Sequence, residues 1–268
     1  YQHSNDLMLF ASYSQGFKSG TFNPRASAPE DAANPENVDS FEIGMKSDWN
    51  NRLRVNATLF RLDHKDRQYI SVRPDRDDPT ALNQSLGNVG RSEATGLELE
   101  ITYKASRELE LYANLGLIDS KFTEVISFDA AGNKVDISDG FTITNTPETT
   151  ANFGFSYNLI TDFGDVIFNG NYNYRGSYDL TEQGNLLTQD SYGLLNLGVT
   201  WFSSDGHWNI ALHGKNLTDE EYLVGNYAFI APDPANPGQY IPGLGGDNTL
   251  IGYYGAPRTV SLSVGYRF

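Results

Sequence analysis

Cysteine is missing from all 268 residues, so a disulfide framework and a thiolate metal site are both excluded. Long apolar runs are missing as well. With 39% hydrophobic residues and a mean hydropathy of -0.45, no segment approaches the roughly 18 consecutive apolar residues of a spanning helix. A helical membrane protein is excluded, but crossing by alternating strands is not, because that signal is weaker per segment. Cations are scarce: 19 Lys and Arg stand against 34 Asp and Glu, a formal charge of -15. That balance excludes nucleic acid as a partner, since a phosphate backbone requires a basic stripe. The acidity reads as solvation of long loops. No nucleophile elbow and no phosphate-binding glycine loop occurs, so neither an enzyme nor a cofactor site is expected. The chain opens on Tyr1-Gln2-His3 rather than Met, and further sequence upstream is expected.

What is abundant is aromatic residues, 13% of the chain, together with 26 Gly. Both suit a large antiparallel sheet with aromatic girdles. The last stretch, Pro257 to Phe268, sets the pattern: Val260, Leu262, Val264, Tyr266 and Phe268 fall on one face, and Thr259, Ser261, Ser263, Gly265 and Arg267 on the other. This is a β-strand with one apolar and one polar side. The same period of two predicts nine earlier strands. They are centred on Leu7–Tyr13, Phe41–Met45, Leu53–Leu59 (continuing past His64 toward Val72), Leu97–Tyr103, Leu109–Leu117, Ala151–Leu159, Val166–Tyr174, Leu195–Trp201 and Trp208–Leu212.

Connections between these strands alternate long and short. Tight turns fall at Asp48–Asn51, Lys104–Glu108, Thr161–Asp165 and Ser203–Gly206. Long loops fall at Lys18–Asn37, Pro74–Gly87, Ser127–Thr146, after Tyr174 and at Tyr222–Ala256. An all-β, antiparallel, up-and-down transmembrane barrel predicts that alternation. Trp49, Tyr103, Trp201 and Trp208 all lie beside short turns, where an interfacial belt sits. No fixed repeat period supports a propeller or a β-helix.

Five segments then carry a family resemblance: Y-S-Q-G-F-K-S-G-T-F-N at 13–23, N-V-D-S-F-E-I-G-M-K-S-D-W at 37–49 and N-V-G-R-S-E-A-T-G-L-E-L-E at 88–100. H-G-K-N-L-T-D-E-E-Y at 213–222 and Y-G-A-P-R-T-V-S-L-S-V-G-Y-R-F at 254–268 complete the set. Together they resemble the C-terminal barrel part of TonB-dependent outer-membrane receptors. The resemblance implies energised import of a scarce nutrient, most often a ferric siderophore or similar iron chelate. It also implies a bacterial outer-membrane location and a complete barrel of about 22 strands, the size of plugged transporters. About ten strands and no plug domain are present, so residues 1–268 are expected to be the C-terminal portion of a larger barrel. The expected partners are outer-membrane lipid, a small-molecule substrate, the barrel assembly machinery and the TonB complex acting through the N-terminal part. Alternatives are a passive, porin-like barrel and a soluble β-rich binding module.

On this register Glu42, Arg54, Glu98, Glu100, Arg175 and Lys215 face the lumen, where charge is tolerated and can meet plug or substrate. Ordinary cross-strand pairing in a wetted interior is the commoner account of such residues. The terminal residues Val260, Leu262, Val264, Tyr266 and Phe268 correspond to the outer-membrane assembly signal that the resemblance implies. Asp75, Asp77 and Asp78, and separately Asp219, Glu220 and Glu221, lack the spacing and fixed glycine of a calcium loop and read as solvated charge. His64, His207 and His213 are not spaced as a metal set. Loops 18–37 and 222–256 are candidates for contact with a ligand.

Overall fold

Alternation at period two, continued for a dozen residues at a time, gives strands long enough to form one large sheet. The structure is a computed structural model that describes residues 1–23, 32–74, 82–88, 90–128, 133–182, 186–228, 230–232, 240–242 and 250–268. Its long strands are β1 Leu7–Lys18, β2 Glu36–Trp49, β3 Leu53–Lys65, β4 Gly90–Lys104, β5 Leu109–Phe128, β6 Thr149–Thr161, β7 Gly164–Arg175, β8 Tyr192–Ser203, β9 Trp208–Lys215 and β10 Thr259–Tyr266. Each pairs antiparallel with the next in sequence, and among the described residues no pairing joins β10 back to β1. The sheet is therefore an open, up-and-down arc. Gln2–Ser4 adds a short strip beside β1.

The expected register holds strand by strand. Leu9, Met45, Ala57, Leu99, Leu115 and Ala151 share one cross-strand row. Leu109, Tyr157, Phe168, Val199, Leu212 and Leu262 share another. Apolar side chains on this face remain exposed: Ile43 is 61% accessible, Leu59 56% and Leu262 67%. No large side chain among the described residues is fully buried. One layer of sheet with an uncovered apolar face cannot make a conventional core, so that face requires an apolar environment of its own.

The height of the apolar face fits a bilayer. From Leu109 to Leu117 the strand rises about 27 Å at about 3.4 Å per residue, or about 20 Å across a membrane at a tilt of about 40°. At the long-loop end the same face turns ionic. The Tyr13 hydroxyl donates to Asp39 at 2.8 Å, Lys65 Nζ reaches Asp39 at 2.7 Å, and Arg61 contacts Glu93 at 3.0 Å. At the short-turn end it is aromatic, with Trp208 4.7 Å and Phe268 5.1 Å from the Tyr266 ring.

Local chemistry sets the turns. Between the paired residues Trp49 and Leu53 the chain turns in three residues: Asn50 and Asn51 both have φ of 52°, a left-handed pair that Asn tolerates, and Arg52 N donates to the Trp49 carbonyl at 3.0 Å. On the polar face, Tyr112 lies across Gly154, where an added Cβ would stand 2.3 Å from the ring.

Two expected boundaries are corrected. The third strand does not continue toward Val72, because Asp66 turns the chain with φ of 54°. Gln68–Pro74 instead forms a separate ribbon with Leu82–Asn88. The span expected as irregular loop from Pro74 to Gly87 is thus partly ribbon, and Leu223–Ala228 with Leu250–Tyr254 does the same within the last long connection. Strands carried beyond the apolar band no longer alternate strongly, and so their pairing leaves little trace in the pattern.

Candidate functional site on the polar face and its loop cap

The polar face is a ladder of amides and carboxylates. Glu100, Asn114, Asn152 and Asn173 share one cross-strand row. Asn56 Nδ2 donates to Glu100 at 3.1 Å, and Asn152 Nδ2 donates to Asn173 Oδ1. A parallel row runs Glu98, Gly116, Thr150 and Arg175. Three strand spacings of about 4.8 Å separate its ends by about 14 Å, with two small residues as the floor. Over these rows lies a cavity of about 700 Å³, lined by Glu98, Glu100, Asn152, Asn173 and Arg175 and roofed by Asn145 to Pro147.

Arg175 ties this cavity to the loops. Its Nη2 donates to the Asn145 carbonyl at 2.8 Å, and its guanidinium carbon lies 4.1 Å from the Tyr178 ring centre. Its Nε is buried without a hydrogen-bond partner among the described residues.

Three connections are joined above it. Tyr178, Leu180 and Tyr192 form a buried cluster with Tyr222 and Leu223 packed against it. The Tyr178 hydroxyl donates to the Leu223 carbonyl at 2.9 Å, and Tyr192 stacks on Tyr222 at 4.5 Å. The β5–β6 connection is held to the same unit by Thr142 N to Glu182 O at 2.8 Å and Asn145 N to Asp179 O at 2.9 Å. Burial, with the Tyr192 hydroxyl second, pushes the Tyr178 phenol up to about 12. A second cavity of about 430 Å³ between these connections is lined by hydroxyls of Ser120, Thr142, Thr146 and Ser177 and by Glu148 and Asp179.

At the foot of the last connection stands Asn216, 3% exposed, with φ of 49°. Its Nδ2 donates to the carbonyls of Glu220 at 2.8 Å and Ala256 at 3.2 Å, while its Oδ1 accepts from Glu220 N at 2.9 Å. Asp219 closes the base by accepting from Arg258 N at 2.9 Å. Two segments singled out in the sequence, at 213–222 and 254–268, therefore meet in one knot.

The six polar-face candidates divide. Glu98, Glu100 and Arg175 line the larger cavity together. Arg54 lies apart, bonded to Asp48 at 2.8 Å beside a short turn. Glu42 accepts from Ser12 at 3.3 Å and Ser40 at 3.4 Å, and Lys215 is exposed at the end of β9. Val260, Leu262, Val264 and Tyr266 face the apolar side of β10 opposite Gly214, Leu212, Ile210 and Trp208, with Phe268 just beyond the strand. Asp75, Asp77 and Asp78 lie outside the described residues, as do residues 24–31 and most of 233–249. Asp219 is engaged by Arg258, and among the described residues no three His, Cys, Asp or Glu converge as a metal set. His64 Nε2 lies 3.7 Å from Glu36. Neither the Tyr178 cluster nor the role of Asn216 is among the sequence expectations; for Asn216 the usable signal is an Asn-x-x-Asp turn directly after a strand.

An open antiparallel wall with one apolar face, one polar face and a loop cap at a single end is a membrane-barrel architecture. The sequence matches the family described as TonB dependent receptor-like, beta-barrel, over residues 1–217, and the chain belongs to that family. The pesticin receptor of Yersinia enterocolitica is 24% identical over 229 residues, covering 85% of this chain and 31% of the receptor. The ferric yersiniabactin uptake receptor FyuA from Yersinia pestis superimposes with a TM-score of 0.75 at 21% identity, over 100% of this chain and 36% of that one. BauA, the ferric preacinetobactin receptor from Acinetobacter baumannii, gives 0.66 at 20% identity, over 99% of this chain and 35% of that one. At those identities the solved structures speak for the fold. The chain spans about a third of the length of the curated relatives it matches.

Proposed function

We propose that residues 1–268 are the C-terminal part of the barrel wall of an outer-membrane receptor that imports an iron chelate, such as a ferric siderophore. A plug domain and the remaining strands belong to the rest of the receptor, which closes a barrel of about 22 strands. The apolar face meets lipid, the polar face lines the lumen, and the long connections lie outside the cell. Import is energised by TonB through the N-terminal part, and Val260 to Phe268 serves as the signal read by the barrel assembly machinery.

The observation that carries this reading is the family match over residues 1–217 combined with an open arc whose exposed apolar band runs unbroken across the sheet. Lipid is the environment such a face requires, and lipid tolerates only strands whose backbone groups are paired. Names of similar proteins support the cargo: the solved structures aligned over the whole chain include receptors for ferric yersiniabactin and ferric preacinetobactin.

Uptake of iron-55 supplied as a panel of ferric chelates, by cells whose only chelate receptor is the full-length protein, tests the proposal. Uptake of at least one chelate should appear with the receptor and vanish when TonB is removed. Uptake that persists without TonB would favour a passive barrel.

A further inference from the structure

Arg175 sits where the larger cavity, the β5–β6 connection and the β7–β8 connection meet. Its guanidinium is only partly satisfied: one nitrogen serves the neutral Asn145 carbonyl, the plane covers Tyr178, and Nε has no partner among the described residues. A charged donor left unpaired out of water is unfavourable, and the arrangement gains by taking a better acceptor. An anionic oxygen is such an acceptor, since a charge-assisted bond is roughly twice as strong as one to a neutral carbonyl.

The opposite end of the same cavity is lined by Glu98 and Glu100. Both repel an anionic group, so an oxygen anion entering the cavity is directed to the Arg175 end. We propose that Arg175 binds an anionic oxygen, such as a carboxylate, of the imported chelate, and that in doing so it gives up its hold on Asn145 and Tyr178. This inference rests on the receptor reading above.

The consequence reaches the loops because Asn145 and Tyr178 are the points at which Arg175 pins them. Asn145 N is bonded to Asp179 O, and Tyr178 carries the contact to Leu223. Turning the guanidinium toward ligand withdraws it from that pin and leaves the apolar cluster intact. Occupancy of the cavity is therefore read as a loosening of residues 176–182 and 186–191 rather than an opening of the whole cap.

The test uses the full-length receptor in outer-membrane vesicles, with iron-55 chelates that bear a free carboxylate and the same chelates with that carboxylate amidated. Wild type should bind the free form about tenfold more tightly, in line with a charge-assisted bond. Arg175→Gln should remove most of that preference and Arg175→Lys, which keeps a charged donor but loses the planar fork, only part of it, both leaving the amidated form bound nearly as before. The free form alone should raise protease cleavage within 176–191 of wild type. Equal affinity of wild type for both forms, or equal loss for both in the variants, overturns the assignment even though the receptor binds iron chelates. Failure of wild type to bind any chelate overturns the receptor reading and the inference with it. Should the variants fail to assemble, the comparison of the two chelates on wild type still decides.

Discussion

Asp219 and Arg258, separated by 39 residues and by the longest connection of the chain, close a two-bond clasp at the base of β10. The Asp219 carboxylate accepts from Arg258 N at 2.9 Å and from its Nη2 at 3.2 Å. Behind the clasp, Asn216 joins Glu220 to Ala256. The connection leaves and returns through one fixed point, so its length and content do not disturb the pairing of β9 with β10.

The clasp and the knot behind it should differ in weight. The Arg258 and Asp219 side chains are 51% and 47% exposed, and an exposed ion pair contributes about 0 to 1 kcal/mol. Asn216 is buried, and its removal strands two carbonyls and an N–H, with about 2 kcal/mol expected for the loss. Ala also tolerates its positive φ poorly. Urea unfolding of the full-length receptor in vesicles should show Asn216→Ala well below Arg258→Ala; equal midpoints would remove the knot as the anchor.

The register makes a depth prediction. Leu197 is 44% exposed on the apolar face, and Arg near the bilayer midplane is unfavourable by about 2 to 4 kcal/mol. Leu197→Arg should impair folding into vesicles, whereas Thr200→Arg, on the polar face of the same strand, should be tolerated. Asn196 is a poor comparison, because its Oδ1 accepts from Asn216 N at 3.0 Å.

Tyr178 gives a pH dependence with a definite sign. Its phenol is raised in the folded protein to about 12, above the ordinary value of 10.0, because burial penalises the phenolate. The neutral form stabilises the cap fully below pH 10, and that contribution is lost as pH rises through about 12. Protease cleavage within 176–191 should increase over that window, and Tyr178→Phe should abolish the pH dependence of the increase. An unchanged alkaline transition in the Phe variant would assign it elsewhere.

How legible the molecule is in its sequence depends on which contacts repeat. Leu97, Leu99 and Ile101 against Glu98 and Glu100 report the strand, its faces and its partners, because every neighbour obeys the same period. The gathering of Glu98, Glu100 and Arg175 about one cavity was half legible: parity put them on one face, but only the pairing set Glu98 and Arg175 in the same row. Tyr178 and Tyr222 come from two connections with no period, Tyr192 opens β8, and nothing local says that they meet. The break at Asp66 leaves no mark in the sequence, because the pattern of apolar residues continues past it to Val72 while the pairing partner changes.

Topology is testable because the chain has no Cys. A single Cys at Ser138 or Leu187, in long connections, should react with an impermeant thiol reagent on intact cells carrying the full-length receptor. Cys at Asn51 or Ser204, in short turns, should react only after the outer membrane is opened. Reaction at both ends on intact cells would contradict a membrane-spanning wall.

The sheet edges carry the last prediction. Among the described residues β10 pairs with β9 alone, leaving the N–H and C=O groups of its other side without a strand, and most of β1 has the same exposure. In water such an edge is solvated; in hydrocarbon each unpaired group costs several kcal/mol. An isolated arc must then curl shut in a register the receptor does not use, pair with another copy, or stay out of the membrane. Residues 1–268 secreted alone should therefore give no specific, energy-dependent chelate uptake. Supplying the remainder of the receptor as a second chain should restore uptake if the two halves can find their edges. Uptake by residues 1–268 alone would mean that β1 and β10 meet each other, and the wall would be a small closed barrel.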